Sequence, residues 1–317
     1  MASSSAGAQP GNVIFGAFMP QGWKMELAGI DGAEAKWAAA VAIAQQAEDL
    51  GYDSIWVYDH VHNVPRPAHE AVFECWTTMA AISQRTSRIR LGQMVGCNSY
   101  RQPSLLAKIT STVDVISGGR LDWGIGAGWY ENEYRGYGYE FPVAKDRIGM
   151  LRETVEIVRS MWTNPETTFD GQHYQLRRAN CDPKPVQSPL PLLVGTRSPR
   201  MLRITARHAD EWNTWGSPEQ AAGHRAALIE TCEKVGRDPA TVRTSANALV
   251  NLDGSAPPPG RAALFGSAQQ LVDQFGQYAA LGFDEFILPD WNLGTDKSER
   301  ADKLARIKTE VFDQVPG

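Results

Sequence analysis

Cysteine is scarce in this chain of 317 residues, which has four: Cys75, Cys97, Cys181 and Cys232. Their spacing includes no CxxC pair and no other pattern typical of a zinc site, so they predict free thiols rather than a disulfide framework or a structural metal. Free thiols are typical of a reducing compartment, and we therefore expect a cytoplasmic protein.

Two further absences limit the class of partner. No apolar run is long enough to span a bilayer, and residues 1–10 are rich in Ser, Ala and Gly without the basic start and apolar centre of a signal peptide. The net charge is −5 and no long Lys/Arg block occurs, which argues against nucleic acid or an anionic membrane but leaves room for a locally basic pocket. We expect a small-molecule ligand, a disordered tail over residues 1–11 and one domain over residues 12–317.

Short apolar runs alternate with longer helical patterns along the chain. About eight such βα units in roughly 300 residues predict a closed (β/α)8 TIM barrel, and an open doubly wound sheet of about six strands is the alternative. The predicted strands are 13–18, 54–58, 89–95, 121–125, 191–195, 211–215, 242–252 and 283–288. The predicted helices are 33–50, 73–85, 103–117, 144–162, 199–208, 218–235, 268–281 and 297–312.

Two stretches interrupt this alternation. Residues 164–189 predict a short hairpin around Asp170-Gly171 followed by a Pro-rich passage, and residues 254–260 predict a Pro-rich loop. Active sites of this fold are assembled from the loops that follow the strands. We therefore expect the hairpin to cover the site at the C-terminal rim of the barrel.

The most informative stretch is residues 118–138, GGRLDWGIGAGWYENEYRGYG. Its strand ends in a turn of small residues that let the backbone approach a ligand closely, Gly126-Ala127-Gly128. The turn is followed by stacking rings, an amide and a carboxylate, namely Trp129, Tyr130, Asn132 and Glu133. The alternative is a Gly-rich turn whose aromatic side chains pack in the core.

Two imidazoles follow the second strand, in Asp59-His60-Val61-His62. A metal-dependent hydrolase is one hypothesis, but it needs further histidines at later strand ends, and His173, His208 and His224 fall on the hairpin or on helices. His60 is better interpreted as an acid/base group, because its usual pKa lies near neutrality. The alternative is a structural histidine bound to a neighbouring loop.

A predicted phosphate site follows the fifth strand, at Gly195-Thr196-Arg197-Ser198-Pro199. Backbone amides at a helix start, two hydroxyls and a guanidinium together favour an anion. A simple N-cap, with Ser198 before Pro199 at the first helical position, is the alternative.

Taken together, these segments resemble the luciferase-like monooxygenase superfamily, and within it the oxidoreductases that use the deazaflavin coenzyme F420. The resemblance covers nearly all of the chain. It is carried by AEDLGYDSIWVYDH, TSRIRLGQMV, the stretch from YRQPSLLAKI to GYGYEFP, and ARHADEWNTW. It implies a barrel that binds coenzyme F420, or FMN as the alternative, at its C-terminal rim, in a homodimer.

The resemblance also implies site residues. It places a cis peptide at Met94-Val95 and a cofactor site formed by Asp59, His60, Met94, Val95, Cys97, Asn98, Gly126, Ala127, Gly128, Trp129, Asn132, Gly195, Thr196 and Arg197. His60 is its first catalytic candidate. Hydride transfer to or from a small organic substrate, most simply reduction of a C=C, C=N or C=O bond, is the implied reaction.

Two departures from the family pattern concern the substrate side. Trp129 stands where some deazaflavin-dependent sugar-phosphate dehydrogenases have a Glu proton donor, and Val64 stands where they have Trp. The catalytic candidates are therefore His60, Trp129 in that place, and the nearby carboxylate Glu133. An FMN-dependent monooxygenase and a non-catalytic cofactor-binding relative are the alternative functions.

Overall fold

We describe the fold from a computed structural model, which describes residues 13–64, 68–254, 262–294 and 296–316. The expected tail over residues 1–11 and, apart from Gly254, the expected loop 254–260 lie outside these ranges. The strands are β1 (Ile14–Phe18), β2 (Ser54–Val57), β3 (Arg90–Gln93), β4 (Gly96–Cys97), β5 (Leu121–Gly126), β6 (Thr167–Asp170), β7 (Gln175–Ala179), β8 (Leu192–Gly195), β9 (Glu211–Trp215), β10 (Arg243–Asn247), β11 (Leu249–Leu252), β12 (Ala263–Gly266) and β13 (Glu285–Leu288). The helices are α1 (Ala33–Asp49), α2 (Cys75–Ser83), α3 (Pro103–Ser117), α4 (Glu131–Gly136), α5 (Ala144–Thr163), α6 (Pro199–His208), α7 (Pro218–Lys234), α8 (Ala268–Ala280) and α9 (Lys297–Arg306).

The main sheet closes on itself. Its strands run parallel in the order β3-β2-β1-β13-β10-β9-β8-β5-β4, and β3 also pairs with β5 through Leu91–Leu121 and Gly92–Asp122. Because β3 and β4 are two halves of one wall position, the nine strands make the eight positions of a (β/α)8 barrel. The predicted barrel is confirmed, and the open sheet is excluded.

The third wall position is interrupted where the sequence predicts a continuous strand over residues 89–95. β3 ends at Gln93, the Met94–Val95 peptide is cis, and pairing with β5 resumes at Gly96. The expected cis peptide is therefore present. The interruption makes a bulge, Met94–Val95, at the C-terminal end of the barrel wall.

Three elements differ from the sequence-based expectation. The predicted strand 242–252 divides into β10 and β11, and β11 pairs in parallel with β12, which the sequence did not predict. The aromatic segment after β5 forms the short helix α4 rather than only a turn. β12 and α4 were missed because each is four to six residues long and depends on packing rather than on its own periodicity.

Large aromatic rings are buried on both faces of the barrel wall. Trp56 packs inside the barrel, and Gly92 makes room for it, since a Cβ there would overlap the Trp56 ring. Trp123 and Trp212 are buried in the layer between the strands and the helices. In the same layer, Phe15 of β1 stacks on Phe312 at 4.0 Å between ring centroids. Within the described ranges, none of the helices has the length and hydrophobicity of a membrane-spanning segment.

The N-terminal end of the barrel contains a buried charged cluster, which we call the floor network. Arg243 lies 3.5 Å from Glu211 and 3.5 Å from Glu285, and Glu285 also accepts a hydrogen bond from Ser54. Burial raises the pKa of Glu211 and of Glu285, although Arg243 partly offsets it. A third ion pair of this network joins Arg90 and Asp122 at 2.5 Å.

The predicted hairpin is present as the antiparallel pair β6–β7. The amides at its tip, those of Gln172, His173 and Tyr174, donate to the carboxylate of Glu153 on α5. This anchoring holds the hairpin against the outside of the barrel. None of its residues lines the cavity described below, so it does not form the cover that the sequence predicted.

Candidate active site

A cavity of about 340 Å³ opens at the C-terminal rim of the barrel. Nine predicted site residues line it: Asp59, His60, Met94, Val95, Cys97, Gly126, Gly128, Trp129 and Glu133. They come from the loops after β2, β3 and β5, which are adjacent in the barrel wall. Cavities of this size, formed at this end of a barrel, are typical sites for small molecules.

One wall of the cavity is built from glycines packed against the Met94–Val95 bulge. A Cβ on Gly126 would lie 2.7 Å from Val95, and a Cβ on Gly128 would overlap the Tyr134 hydroxyl. Gly128 also has φ +77°, which disfavours other residues. The side chains of Val95 and Tyr134 therefore pack directly against the backbone of the two glycines, which leaves no room for a side chain at either position.

His60 and Glu133 form a hydrogen-bonded pair at the side of the cavity. The His60 Nδ1 lies 2.7 Å from Glu133 Oε2, and the His60 ring stacks on Trp23 with centroids 4.2 Å apart and planes at 3°. The carboxylate and the stacking fix the ring orientation. Because Nδ1 is engaged by an acceptor, Nε2 is the ring nitrogen left for a ligand in the cavity.

Glu133 is fully buried and accepts three more hydrogen bonds. They come from the amides of Val61 at 2.7 Å and His62 at 2.9 Å and from the Tyr100 hydroxyl at 2.9 Å. Burial by itself raises the pKa of Glu133, but the hydrogen bond and charge of His60 and the two amides outweigh it and lower the pKa below its usual value. The carboxylate is therefore held ionised, and α4 is the element that places it there.

Asp59 anchors the loop after β3 rather than projecting a reactive group. Its Oδ2 accepts from the Cys97 amide at 2.8 Å and from Arg101 at 2.6 Å, and Oδ1 accepts from Arg101 at 3.0 Å. Burial and the charge of Asp59 raise the pKa of the Cys97 thiol to about 12, so Cys97 is neutral. A neutral thiol on this wall is suited to packing and not to nucleophilic attack.

The opposite side of the cavity is aromatic and was missed by sequence reasoning. Its additional lining residues include Trp23, Lys24, Tyr58, Tyr100, Trp215 and Trp291. The rings of Trp215 and Trp291 stack with centroids 5.4 Å apart and planes at 13°, and the Lys24 ammonium lies 4.1 Å from the centre of the Trp23 ring. The position of these residues was the available signal, because they end or follow β1, β2, β4, β9 and β13.

The loop that carries Trp23 and Lys24 is fixed from behind. Glu26 accepts hydrogen bonds from three amides of this loop, those of Gln21, Gly22 and Lys24. Arg300 of α9 is almost completely buried and donates to the carbonyls of Glu26 and Gly294, at 3.0 Å each. The last long helix thus supports the first loop of the rim.

Six predicted cofactor residues do not line the cavity: Asn98, Ala127, Asn132, Gly195, Thr196 and Arg197. Asn98 is fully buried because the turn after β4 directs it into the protein. Asn132 is exposed, since α4 turns it away from the side that Glu133 occupies. A Cβ on Gly195 would lie 3.1 Å from Val95, so the predicted phosphate loop adjoins the cavity wall.

The other two catalytic candidates differ in burial. Glu133 is fully buried and is hydrogen-bonded to His60. The Trp129 ring is 64% exposed at the cavity mouth, where it can form a wall but carries no acid. His62 does not join His60: it packs against Gly136 and Tyr137, and the described residues contain no group of three or more potential metal ligands.

The chain matches the model of the luciferase-like monooxygenase family over residues 18–256. It belongs to this family. Among relatives, it is 33% identical over 173 residues to an F420-dependent glucose-6-phosphate dehydrogenase from Amycolatopsis mediterranei, a match covering 54% of this chain and 51% of the relative. It is also 33% identical over 189 residues to an uncharacterized protein from Mycobacterium tuberculosis, covering 55% of this chain and 66% of that protein. The matches thus span between half and two thirds of these relatives.

Solved structures of the luciferase-like fold resemble the chain over nearly its whole length. An F420-dependent secondary alcohol dehydrogenase in complex with an F420–acetone adduct superposes with a TM-score of 0.77 at 19% identity, covering 93% of this chain and 98% of that one. The coenzyme F420 dependent tetrahydromethanopterin reductase from Methanopyrus kandleri gives 0.77 at 18% identity, with coverages of 96% and 99%. At these identities the likeness establishes a common fold.

Proposed function

We propose that this protein is a coenzyme F420-dependent oxidoreductase that transfers hydride between the deazaflavin and a small organic substrate. The observation that carries the proposal is the rim cavity, in which a glycine wall and the Met94–Val95 bulge lie beside an oriented His60. The relative named as an F420-dependent dehydrogenase supports the choice of cofactor over FMN.

The residues of the cavity fit a flat, partly polar ligand of this kind. Gly126 and Gly128 line the cavity with backbone alone, which allows a ring to approach closely. Within the described residues, three buried polar atoms of the cavity aromatics have no hydrogen-bond partner: Trp23 Nε1, the Tyr58 hydroxyl and the Tyr130 hydroxyl. Buried polar groups are normally paired, so these atoms favour a polar ligand close by. The deazaflavin, when bound, supplies a carbon that gives or accepts a hydride.

The protein itself supplies a proton and positions the side chain that carries it. His60 Nε2 is placed to give a proton to the substrate heteroatom during reduction, or to take it during oxidation. Glu133 is the positioning residue, because its ionised carboxylate binds the Nδ1 side of the ring and so leaves Nε2 facing the cavity. The aromatic side chains around the pair limit the access of water.

The lining of the cavity also favours a class of substrate. In the part of the chain described, Lys24 is the sole lysine or arginine that lines it, and Asp59 and Glu133 are both engaged by the protein. Arginine and lysine side chains favour a sugar phosphate, because they bind its phosphate through charge-assisted hydrogen bonds. The stacked rings of Trp215 and Trp291 suit instead a planar, conjugated acceptor. We propose reduction of a conjugated C=C, C=N or C=O bond.

A titration of the purified protein with F420 and with FMN, followed by tryptophan fluorescence, tests the cofactor. We expect micromolar or tighter binding of F420 and weaker binding of FMN. Single-turnover experiments then test the substrate class. In one, conjugated ketones and imines are offered to the enzyme with reduced F420; in the other, glucose 6-phosphate is offered with oxidised F420. Preference for FMN would contradict the proposal in favour of a monooxygenase, and binding without turnover would favour a non-catalytic relative.

A further inference from the structure

Lys24 places a positive charge on the aromatic side of the rim cavity. Its ammonium lies 4.1 Å from the centre of the Trp23 ring and 5.4 Å from the centre of the Trp291 ring. Trp291 in turn stacks on Trp215, so the ammonium lies beside the pair of rings that suits a planar substrate. The Lys24 side chain is half-buried and lines the cavity. A planar ligand that lies against the stacked rings therefore has this charge at its edge.

The backbone of Lys24 is fixed on both sides. Its own amide donates to Glu26 Oε2 at 2.6 Å. The carbonyl of the preceding residue, Trp23, accepts a hydrogen bond from the amide of Val64 at 2.9 Å. A charged side chain on a fixed backbone loses less conformational entropy when a ligand binds than one on a mobile loop. The ammonium is thus suited to bind a ligand group at a defined place.

The side chains that line the cavity offer more hydrogen-bond donors than acceptors. Both carboxylates already accept from the protein: Asp59 from Arg101, and Glu133 from Tyr100 and the His60 side. Among the described residues, no Asn, Gln, Ser or Thr lines the cavity, whereas four tryptophans do, and an indole N–H can only donate. A substrate with acceptor oxygens is therefore the better match to this lining.

Charge narrows the kind of acceptor oxygen. A planar ligand that covers the stacked rings displaces water from the Lys24 ammonium, and the loss of that water is costly unless an anion replaces it. An anionic group at the edge of the ligand offsets this cost through a charge-assisted hydrogen bond. A phosphate monoester carries a charge of about −1.5 to −2 at pH 7. A carboxylate carries one negative charge, which a single ammonium balances.

We propose that Lys24 is a specificity residue that binds a carboxylate of the substrate, so that the preferred substrate is a planar, conjugated carboxylic acid. This inference rests on the proposed function and narrows its substrate class. The bound carboxylate takes no part in the hydride transfer. Its role is to position the conjugated bond, because the Trp23 ring contacts both the Lys24 ammonium and the His60 ring. An acid held by Lys24 thus lies close to the proton carrier.

Calorimetric titration of the protein loaded with oxidised F420 tests the inference, with cinnamate and cinnamamide as probes. The two compounds share one planar conjugated skeleton and differ in charge. The variant is Lys24→Met, which removes the ammonium and keeps an unbranched side chain beside the indoles. Its matched control is Lys234→Met, which removes an exposed lysine at the end of α7. Both variants change the net charge from −5 to −6 (−5 − 1). Circular dichroism and F420 affinity, measured beforehand, check that each variant folds.

We expect the native protein to bind cinnamate about tenfold more tightly than cinnamamide at low salt, the usual effect of a hydrogen bond to a charged group. Lys24→Met loses this preference and Lys234→Met keeps it. Equal or weaker binding of the acid by the native protein, an undiminished preference in Lys24→Met, or its loss in Lys234→Met would overturn the inference and leave the F420-dependent function intact. Binding of neither probe would overturn the inference together with the planar substrate class. Failure to bind F420 in the first measurement would overturn the proposed function as well.

Discussion

Buried carboxylates occur at both ends of this barrel, but their surroundings shift the pKa in opposite directions. At the rim, Glu133 and Asp59 each accept several hydrogen bonds, and the pKa of Glu133 is lowered. In the floor network, Glu211 and Glu285 share Arg243, and burial raises the pKa of both. The rim carboxylates border a cavity, whereas neither floor carboxylate lines it. A carboxylate beside a cavity that accepts several hydrogen bonds from the protein can direct chemistry. A carboxylate that shares one arginine inside the packed interior contributes to structure.

The largest expected effect comes from removing the proton carrier at the rim. His60→Ala should lower kcat by about 100-fold or more, the usual contribution of a positioned acid or base. F420 affinity, measured by fluorescence, should change little. Glu211→Gln is the matched change in the floor network and should leave kcat unaltered. Near-native turnover in His60→Ala would show that His60 is not the proton carrier, and the two ends of the barrel would then not differ in catalytic importance.

The next effect concerns the residue beneath His60. Glu133→Gln should lower kcat by about tenfold or more and change the pH profile of kcat/KM, because the oriented imidazole loses its ionised partner. Tyr100→Phe removes one donor to the same carboxylate and should have a smaller effect. If Tyr100→Phe and Glu133→Gln altered the pH profile equally, Glu133 would be structural rather than positioning.

Glu133 also makes a prediction for stability. Its pKa in the folded protein is below the usual value of 4.5, so the folded state binds fewer protons than the unfolded state near that pH. Its contribution to stability is present above pH about 4.5 and is lost as the pH falls through the folded pKa. Thermal unfolding between pH 3 and pH 7 should show a shallower acid limb in Glu133→Gln than in the native protein.

A third comparison tests whether the rim is packed as tightly as the interior. Gly128→Ala and Gly138→Ala replace glycines with φ +77° and +74°, so both carry the same backbone penalty of about 1–2 kcal/mol. A Cβ at Gly138 meets nothing within 4 Å, whereas at Gly128 it overlaps Tyr134 and lies 2.8 Å from Cys97 Sγ. Urea unfolding should show an additional loss of about 1–3 kcal/mol for Gly128→Ala. Equal losses would mean that the wall can relax.

The smallest expected effect lies in the floor network. The folded-state pKa of Glu211 is raised, so its contribution is complete below the unfolded value and is lost as the pH rises through the folded one. Glu211→Gln leaves Arg243 paired with Glu285 and should raise Tm by about 2 °C at pH 8.5, with less gain at pH 5. A larger gain at pH 5 would contradict the raised pKa.

The barrel was predictable from the sequence because each βα unit has its own pattern of apolar residues and its own turn residues. It was also predictable that the segments after β2, β3 and β5 border one cavity, since residues at strand ends meet at the rim. Asn132 was misplaced because adjacent residues of a helix such as α4 point about 100° apart, and only Glu133 faces the cavity. Trp215 and Trp291 were missed because their stacking joins segments far apart in sequence. The homodimer, the single domain over residues 12–317 and the cytoplasmic location stay predictions.

The bond from Arg300 to the carbonyl of Glu26 has a consequence for biosynthesis. The loop bearing Trp23 is synthesised well before α9, since Glu26 and Arg300 are 274 residues apart in the sequence. Because the loop takes its support from α9, the aromatic wall can be completed only after α9 has been made. Ligand recognition at this wall is therefore a late event in the life of each newly synthesised molecule, well after the individual βα units have formed.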